Sequence, residues 1–219
     1  MNPENSLWIY RGLLVAASLA AWFLTQSFIA RRRAPRGKIS DAIHGWTAGM
    51  NLYLRMHPAL ANRLLVATSF LIDAAGIWLL ASSIFGKTIA PFLGLFILFL
   101  MRQACQLLVA LPEPPGMIWR HPGFPSALVT YGTNNDLFFS GHTAIAAFAG
   151  LVAGTSFGWP GILAGTAVVT IEAVTVLVLR AHYTMDVFTA LVAALAAFGL
   201  AGLAAPHCDA MLAVLAGAR

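Results

Sequence analysis

Two short segments hold the residues best suited to chemistry in this chain of 219. One is Ser140–Gly141–His142–Thr143, within "LFFSGHTAIAAF". The other runs from His182 to Asp186, within "LRAHYTMDVF". His182 and Asp186 stand four residues apart where a helix is predicted to begin, so their side chains share one face. A carboxylate one turn from an imidazole accepts a hydrogen bond from one ring nitrogen and fixes the tautomer. The other nitrogen is then left as a nucleophile or base. A second imidazole opposite the first, here His142, is what displacement at phosphorus needs: one ring attacks and the other protonates the departing oxygen. The predicted helix start after Ser140 adds free N–H groups and a positive dipole end, which suit a phosphoryl oxygen. Ser140, Gly141 and Thr143 are therefore phosphate-binding candidates, as are Arg180 and Tyr183 beside His182. Singly, each segment is weak. A lone histidine at a membrane border is ordinarily an interfacial polar residue, and His-x-x-x-Asp could cap a helix or hold a metal. A metal is the less attractive reading, because neither a carboxylate cluster nor a His-rich partner accompanies the three residues.

The elements that must position these segments are membrane helices. Hydrophobic residues make up 59% of the chain and charged residues only 10%, far below the quarter or so expected of a soluble domain. Uncharged apolar runs long enough to cross a bilayer predict spans at about 8–30, 64–85, 88–111, 138–158, 160–180 and 184–205. Backbone groups in lipid must pair internally, and no alternating barrel pattern occurs, so the expected fold is an all-α, single-domain, six-helix polytopic bundle. Frequent glycines such as Gly150, Gly154, Gly161 and Gly165 suit close helix approach. The first span outruns the apolar core of a secretion signal, and "RRRAPRGK" after it reads as a flanking anchor. Cys105 and Cys208 read as small buried hydrophobes.

Between the spans, residues 39–60 are amphipathic and predict an interfacial helix. Residues 112–137, rich in Pro and Gly, predict an ordered loop or cap. With six spans, both of these and the 180–184 turn share one membrane face, and two intervening passes bring the starts of spans four and six together there. That face carries nine of the thirteen basic residues, which by the positive-inside rule places it in the cytoplasm. The net charge of +5 suits acidic headgroups; with no soluble domain to present a basic groove, nucleic acid is not an expected partner. Within the spans, Asp73 and Arg102 lie at nearly equal distances either side of the Gly86–Lys87 turn and are predicted to form a buried ion pair. Glu172, eight residues before Arg180, could line the same face of span five. Asp136 precedes the first motif. These four are supporting candidates. Trp8, Phe138, Phe139, Trp159 and again Tyr183 read as interfacial anchors.

"NDLFFSGHT" followed by "AHYTMDV" resembles the paired signature of the sphingomyelin synthase family, a branch of the type-2 phosphatidic acid phosphatase superfamily. "RQACQLLVALPEPP", Arg102 to Pro115, is similar to that family's motif at the end of its third span. The resemblance spans roughly residues 95–205. It implies His182 as the nucleophile that becomes a phosphohistidine, Asp186 as its orienter, His142 as general acid and then base, and no metal or other cofactor. The chain departs from the family's pattern in having Asn134, Asn135 and Asp136 where Cys-Gly-Asp is usual, and Arg180 and Ala181 where a His and an acidic residue are common.

Phosphatases of the superfamily use Lys-x6-Arg-Pro and Ser-Arg-x5-His, and this chain has neither an Arg-Pro nor a Ser-Arg dipeptide. A phosphomonoester carries nearly two negative charges and calls for several cations, whereas a phosphodiester carries one. The thin basic complement, with Arg180, Arg120 and Arg102 as candidates, favours a diester. The expected activity is headgroup transfer from a membrane phospholipid donor to a lipid acceptor such as ceramide, or to water in phospholipase C-like hydrolysis. Lipid phosphate phosphatase is the alternative within the fold; a small transporter or scaffold is the alternative of another class. The resemblance also implies a plasma or inner membrane protein with its active site on the exoplasmic side, against the basic-residue count. A homo-oligomer stays open.

Overall fold

The computed structural model describes residues 3–31, 37–123 and 136–217. Much of the basic run at 31–38 and of the 112–137 loop lies outside the described residues. The helices are α1 (Pro3–Ala30), α2 (Ala42–Trp46), α3 (Ala48–Met56), α4 (Pro58–Phe85), α5 (Ala90–Leu108), α6 (Gly141–Phe157), α7 (Trp159–Val178) and α8 (Thr184–Leu215). Among the described residues there is no strand. Five helices, α1, α4, α5, α7 and α8, are long and apolar enough to cross a membrane, and α6 is a shorter apolar helix of 17 residues. The protein is a polytopic membrane helical bundle.

The predicted fourth span opens three residues later than expected because Ser140 serves as the N-cap of α6, accepting from the Thr143 N–H. At about 1.5 Å per residue α6 is only roughly 25 Å long, and it forms the centre of the bundle. Its Ala144, Ile145, Ala146, Phe148 and Val152 are buried, and it packs against α4, α5, α7 and α8. The α6–α7 hairpin is built on small residues: a Cβ on Gly165 would lie 2.6 Å from the Gly150 Cα. Only two glycines allow backbones so close.

Helix α8 runs through Pro206 to Leu215, beyond the predicted boundary at 205. What the extension gains is Asp209, whose carboxylate accepts from Arg11 Nη2 at 2.8 Å, Thr88 Oγ1 at 2.5 Å and the Ile89 N–H at 2.9 Å. Arg11 also donates to the Gly86 carbonyl at 2.8 Å. One part-buried ion pair and its hydrogen bonds thereby join α1, the α4–α5 turn and α8 at the end of the bundle remote from the histidines.

The amphipathic segment at 39–60 resolves into α2, α3 and the first turn of α4, where Pro58 needs no N–H donor. His44, Asn51 and Leu54 face the bundle, while Trp46, Met50, Leu52, Tyr53 and Met56 are exposed. That two-sidedness suits a helix lying in a membrane interface. Asn51 Nδ2 donates to the Val178 carbonyl at 2.9 Å and the Gly116 carbonyl at 3.1 Å, capping the end of α7 and holding the loop that follows α5.

Candidate active site

The turn between α7 and α8 sets the position of His182. The chain reverses through Arg180, a non-glycine residue at φ 53. Its strained backbone is held by the Arg180 guanidinium, which donates to the Pro115 carbonyl and, at 3.1 Å, to the His44 carbonyl. Asp186 then closes the start of α8: its Oδ2 accepts the Tyr183 N–H at 2.8 Å, while its own N–H reaches the Tyr183 carbonyl at 3.0 Å.

His182 Nδ1 lies 2.8 Å from the Leu137 carbonyl and 3.5 Å from Asp186 Oδ2. A carbonyl only accepts, so Nδ1 carries the proton and Nε2 keeps its lone pair. The sequence assigns the orienting hydrogen bond to Asp186. In the structure the Leu137 carbonyl makes the shorter contact, and the fully buried carboxylate sits beside it at ion-pair distance. Asp186 is drawn away because it caps its own helix.

His142 stands in the first turn of α6, 6% exposed. Its ring meets Trp119 edge-on at 5.1 Å, and its Nε2 has no hydrogen-bond partner among the described residues. Both histidines line one cavity of about 40 Å³, together with Arg102, Asp136, Gly141 and Trp119. The two motifs thus come together at this cavity. The space is large enough for a water, which needs roughly 10–15 Å³, but a lipid phosphodiester has to displace side chains to enter.

Among the described residues, Arg102 is the cation on the cavity wall. It is not paired with Asp73 as expected: its ion-pair partner is Asp136, with Nη2 to Oδ2 at 3.6 Å. Nε and Nη2 also donate to the carbonyls of Phe139 and Asp136, both at 2.9 Å. Equal depth on neighbouring helices does not set rotation about their axes, and the chain before α6 brings a closer carboxylate. Asp136 is held in turn by Gln26 Nε2 at 2.9 Å and, through its carbonyl, by Gln106 Nε2 at 2.9 Å. Gly141 leaves room for Arg102, since a Cβ there would sit 3.3 Å from Nε.

Other candidates lie elsewhere. Ser140 and Thr143 are fully buried and bonded to one another, Oγ to Oγ1 at 3.0 Å; they build the α6 cap and are absent from the cavity lining. The Arg180 side chain serves the turn. Tyr183 donates its hydroxyl to the Pro112 carbonyl at 3.0 Å. Glu172 is buried on α7 and accepts from the Thr68 hydroxyl, and Asp73 is buried on α4; neither lines the cavity. Among the described residues, no three His, Cys, Asp or Glu side chains are grouped to share a metal ion.

The sequence reading missed Leu137, Trp119 and a support from α2. Asp41 caps two helices at once. Its Oδ1 accepts from the N–H groups of Ile43 and His44 at 3.0 and 3.2 Å and from Thr184 Oγ1 at 2.8 Å, while Oδ2 accepts the Thr184 N–H at 2.6 Å. Burial pushes its carboxyl up, but the hydrogen bonds from Thr184 and His44 outweigh that and leave it below its ordinary value. His44 Nε2 lies 2.9 Å from the His182 carbonyl, and its ring packs on Tyr183. An Asp before Ala-Ile-His is legible as an N-cap; its second helix is not.

The two motifs and the two ends they occupy, on α6 and α8, fall in one stretch with a family match. Residues 133–202 match the family model PAP2 superfamily C-terminal. The PAP2 match takes in α6, α7 and the part of α8 up to residue 202, and it supports lipid phosphate chemistry of the phosphatase or phosphotransferase type. No curated protein and no solved structure matches the chain.

Proposed function

We propose that this protein is a phospholipid headgroup transferase of the sphingomyelin synthase type, working through a phosphohistidine, with phospholipase C-like hydrolysis when water is the acceptor. The observation that carries the reading is the shared cavity of His142 and His182, with the His182 Nδ1 proton tied to a carbonyl so that Nε2 is free to attack. Arg102 and the first N–H groups of α6 supply positive potential for the phosphoryl oxygens.

In the first step His182 Nε2 forms a bond to phosphorus, the bond from phosphorus to the glycerol oxygen breaks, and His142 gives that oxygen its proton. Diacylglycerol leaves. In the second step His142 takes the proton of an acceptor hydroxyl, whose oxygen attacks phosphorus as the bond to His182 breaks. Asp186, 3.5 Å from Nδ1, offsets the positive charge that the His182 ring gains on phosphorylation.

Among the described residues Arg102 is the cation that lines the cavity, and one such group suits the single charge of a phosphodiester. A lipid phosphate monoester, the phosphatase alternative, calls for more. The active-site face, bearing α2 and α3, is assigned to the exoplasmic side, and alkylation of a cysteine placed at exposed Met50 in intact cells tests that orientation. For the activity, the purified protein is given a panel of labelled phospholipids with and without ceramide. Diacylglycerol release, with headgroup transfer when ceramide is present, is expected. Release only of inorganic phosphate from lipid phosphates would select the phosphatase, and no product from either class would end the enzymatic reading.

A further inference from the structure

The active-site face carries a second cationic centre, outside the catalytic cavity. Arg55 is exposed in the last turn of α3, one turn on from the buried Asn51. Arg180 approaches it from the α7–α8 turn. The two meet over Gly116, whose φ of 82 is one that glycine tolerates. A Cβ built on Gly116 would lie 3.6 Å from Arg55 Nη1, 3.3 Å from Arg180 Nη1 and 3.0 Å from Asn51 Oδ1. The glycine thus keeps open a notch on which two guanidiniums converge. Neither Arg55, Gly116 nor Arg180 lines the catalytic cavity.

Among the described residues neither arginine has an ion-pair partner. Two like charges this close repel, and repulsion draws the Arg180 guanidinium off the Pro115 and His44 carbonyls that hold its own left-handed turn. One anion between the two reverses both effects. A single exposed arginine–phosphate contact is worth little; two guanidiniums sharing one phosphate make the directional, charge-assisted arrangement that is worth more. The surroundings indicate which anion. Leu52, Tyr53 and Met56 of the same helix are exposed, so Arg55 stands where headgroups meet acyl chains. Asn51 spends its NH₂ on the Gly116 and Val178 carbonyls, which leaves Oδ1 at the notch as a neutral acceptor for a headgroup hydroxyl.

We propose that the notch between Arg55 and Arg180 binds the headgroup of an acidic phospholipid, and that this lipid, distinct from the substrate, firms the turn that presents His182. The route from one to the other is short. Arg180 Nη2 donates to the His44 carbonyl at 3.1 Å, and His44 Nε2 lies 2.9 Å from the His182 carbonyl. A guanidinium held by the headgroup therefore holds the backbone on which His182 stands. The acidic lipid is a regulator of the site, and its binding does not depend on the headgroup-transfer reading.

The test places the full chain in nanodiscs of phosphatidylcholine, alone or with phosphatidylglycerol added. Hydrogen exchange is followed by mass spectrometry on the peptide spanning residues 179–186. Phosphatidylglycerol should slow exchange there about tenfold, the protection given by a ligand at about ten times its dissociation constant. Arg55→Gln should lose that protection. Arg63→Gln, which removes an exposed charge from α4, should keep it. Arg55→Glu sets a carboxylate beside Arg180 and should slow exchange in phosphatidylcholine alone, with no further response to phosphatidylglycerol. Soluble glycerol 3-phosphate added to the phosphatidylcholine disc should give no protection. Lipid in the catalytic cavity would protect the turn in Arg55→Gln as well, so the variant separates the two sites. Protection that is absent from the parent, survives Arg55→Gln, is lost equally in Arg63→Gln, or is reproduced by soluble glycerol phosphate would overturn the proposal. None of these readouts needs turnover, so failure of the headgroup-transfer reading registers separately, as absent diacylglycerol release.

Discussion

Replacing Gly141 with Ala separates the chemistry of the site from the stability of the helix that carries it. The new Cβ would lie 3.3 Å from Arg102 Nε and 3.5 Å from Cζ, so the guanidinium must retreat by a few tenths of an ångström. It cannot do so freely, because Nε and Nη2 are each held at 2.9 Å by the carbonyls of Phe139 and Asp136. Weakening one charge-assisted contact to the phosphoryl group costs about 1.5–3 kcal/mol, equivalent to a fall in kcat/KM of roughly 10–100-fold. Helix propensity acts in the opposite direction, since Ala in place of Gly in a helix gains up to about 1 kcal/mol. The variant should therefore melt no lower than the parent while diacylglycerol release falls at least about tenfold. The assay is release from a labelled phospholipid in nanodiscs, beside a thermal melt of the same preparation. A folded Gly141→Ala protein with kcat/KM within about twofold of the parent would refute the placement of Arg102 at the substrate phosphorus.

The two arginines beside the motifs should behave differently. Arg102→Ala is expected to abolish measurable release, whereas Arg180→Ala, which removes only contacts to the Pro115 and His44 carbonyls, should lower the melting temperature more than it raises KM. Gly165→Ala puts a Cβ 2.6 Å from the Gly150 Cα; the α6–α7 hairpin must part, and a stability loss of about 1–3 kcal/mol is expected from chemical or thermal unfolding. The Asp41 carboxyl sits below its ordinary value of 3.8 when folded, so its contribution is fully present above the unfolded value and is lost as pH falls through the folded one. Melts of the parent and of Asp41→Asn from pH 6 downward should differ by a constant amount until about pH 4 and then converge.

What the sequence made legible follows the range of the forces involved. Hydropathy and the cost of unpaired backbone in lipid are local, so the existence of α1, α4, α5, α7 and α8 was readable, while α4 begins six residues before its expected start and α8 runs ten residues past its expected end. His182 is expected on the first turn of the helix, but α8 begins at Thr184 with Tyr183 as its N-cap, so His182 stands in the turn before it and comes within 3.5 Å of Asp186 through the cap rather than through helical spacing. Positions around a helix axis are not local. Asp73 and Arg102 were matched in depth, yet Asp136 took the arginine because the chain before α6 turns into the bundle. The same turn delivers the Leu137 carbonyl to His182 Nδ1, a backbone role that no residue type announces. Arg180, read as a phosphate ligand from its nearness in sequence, is spent on a left-handed turn that it must itself hold. Asp41 shows the same limit: the cap on α2 is written in the sequence, and the cap on α8 exists only once the chain has folded.

The central claim is that phosphorus passes through His182. The full-length protein is incubated briefly with a phospholipid labelled at phosphorus, quenched in base to preserve phosphohistidine, and digested. The account predicts base-stable, acid-labile label on the peptide that contains His182, and none there in His182→Ala. Diacylglycerol release that persists in His182→Ala, or label residing on another residue, would contradict it.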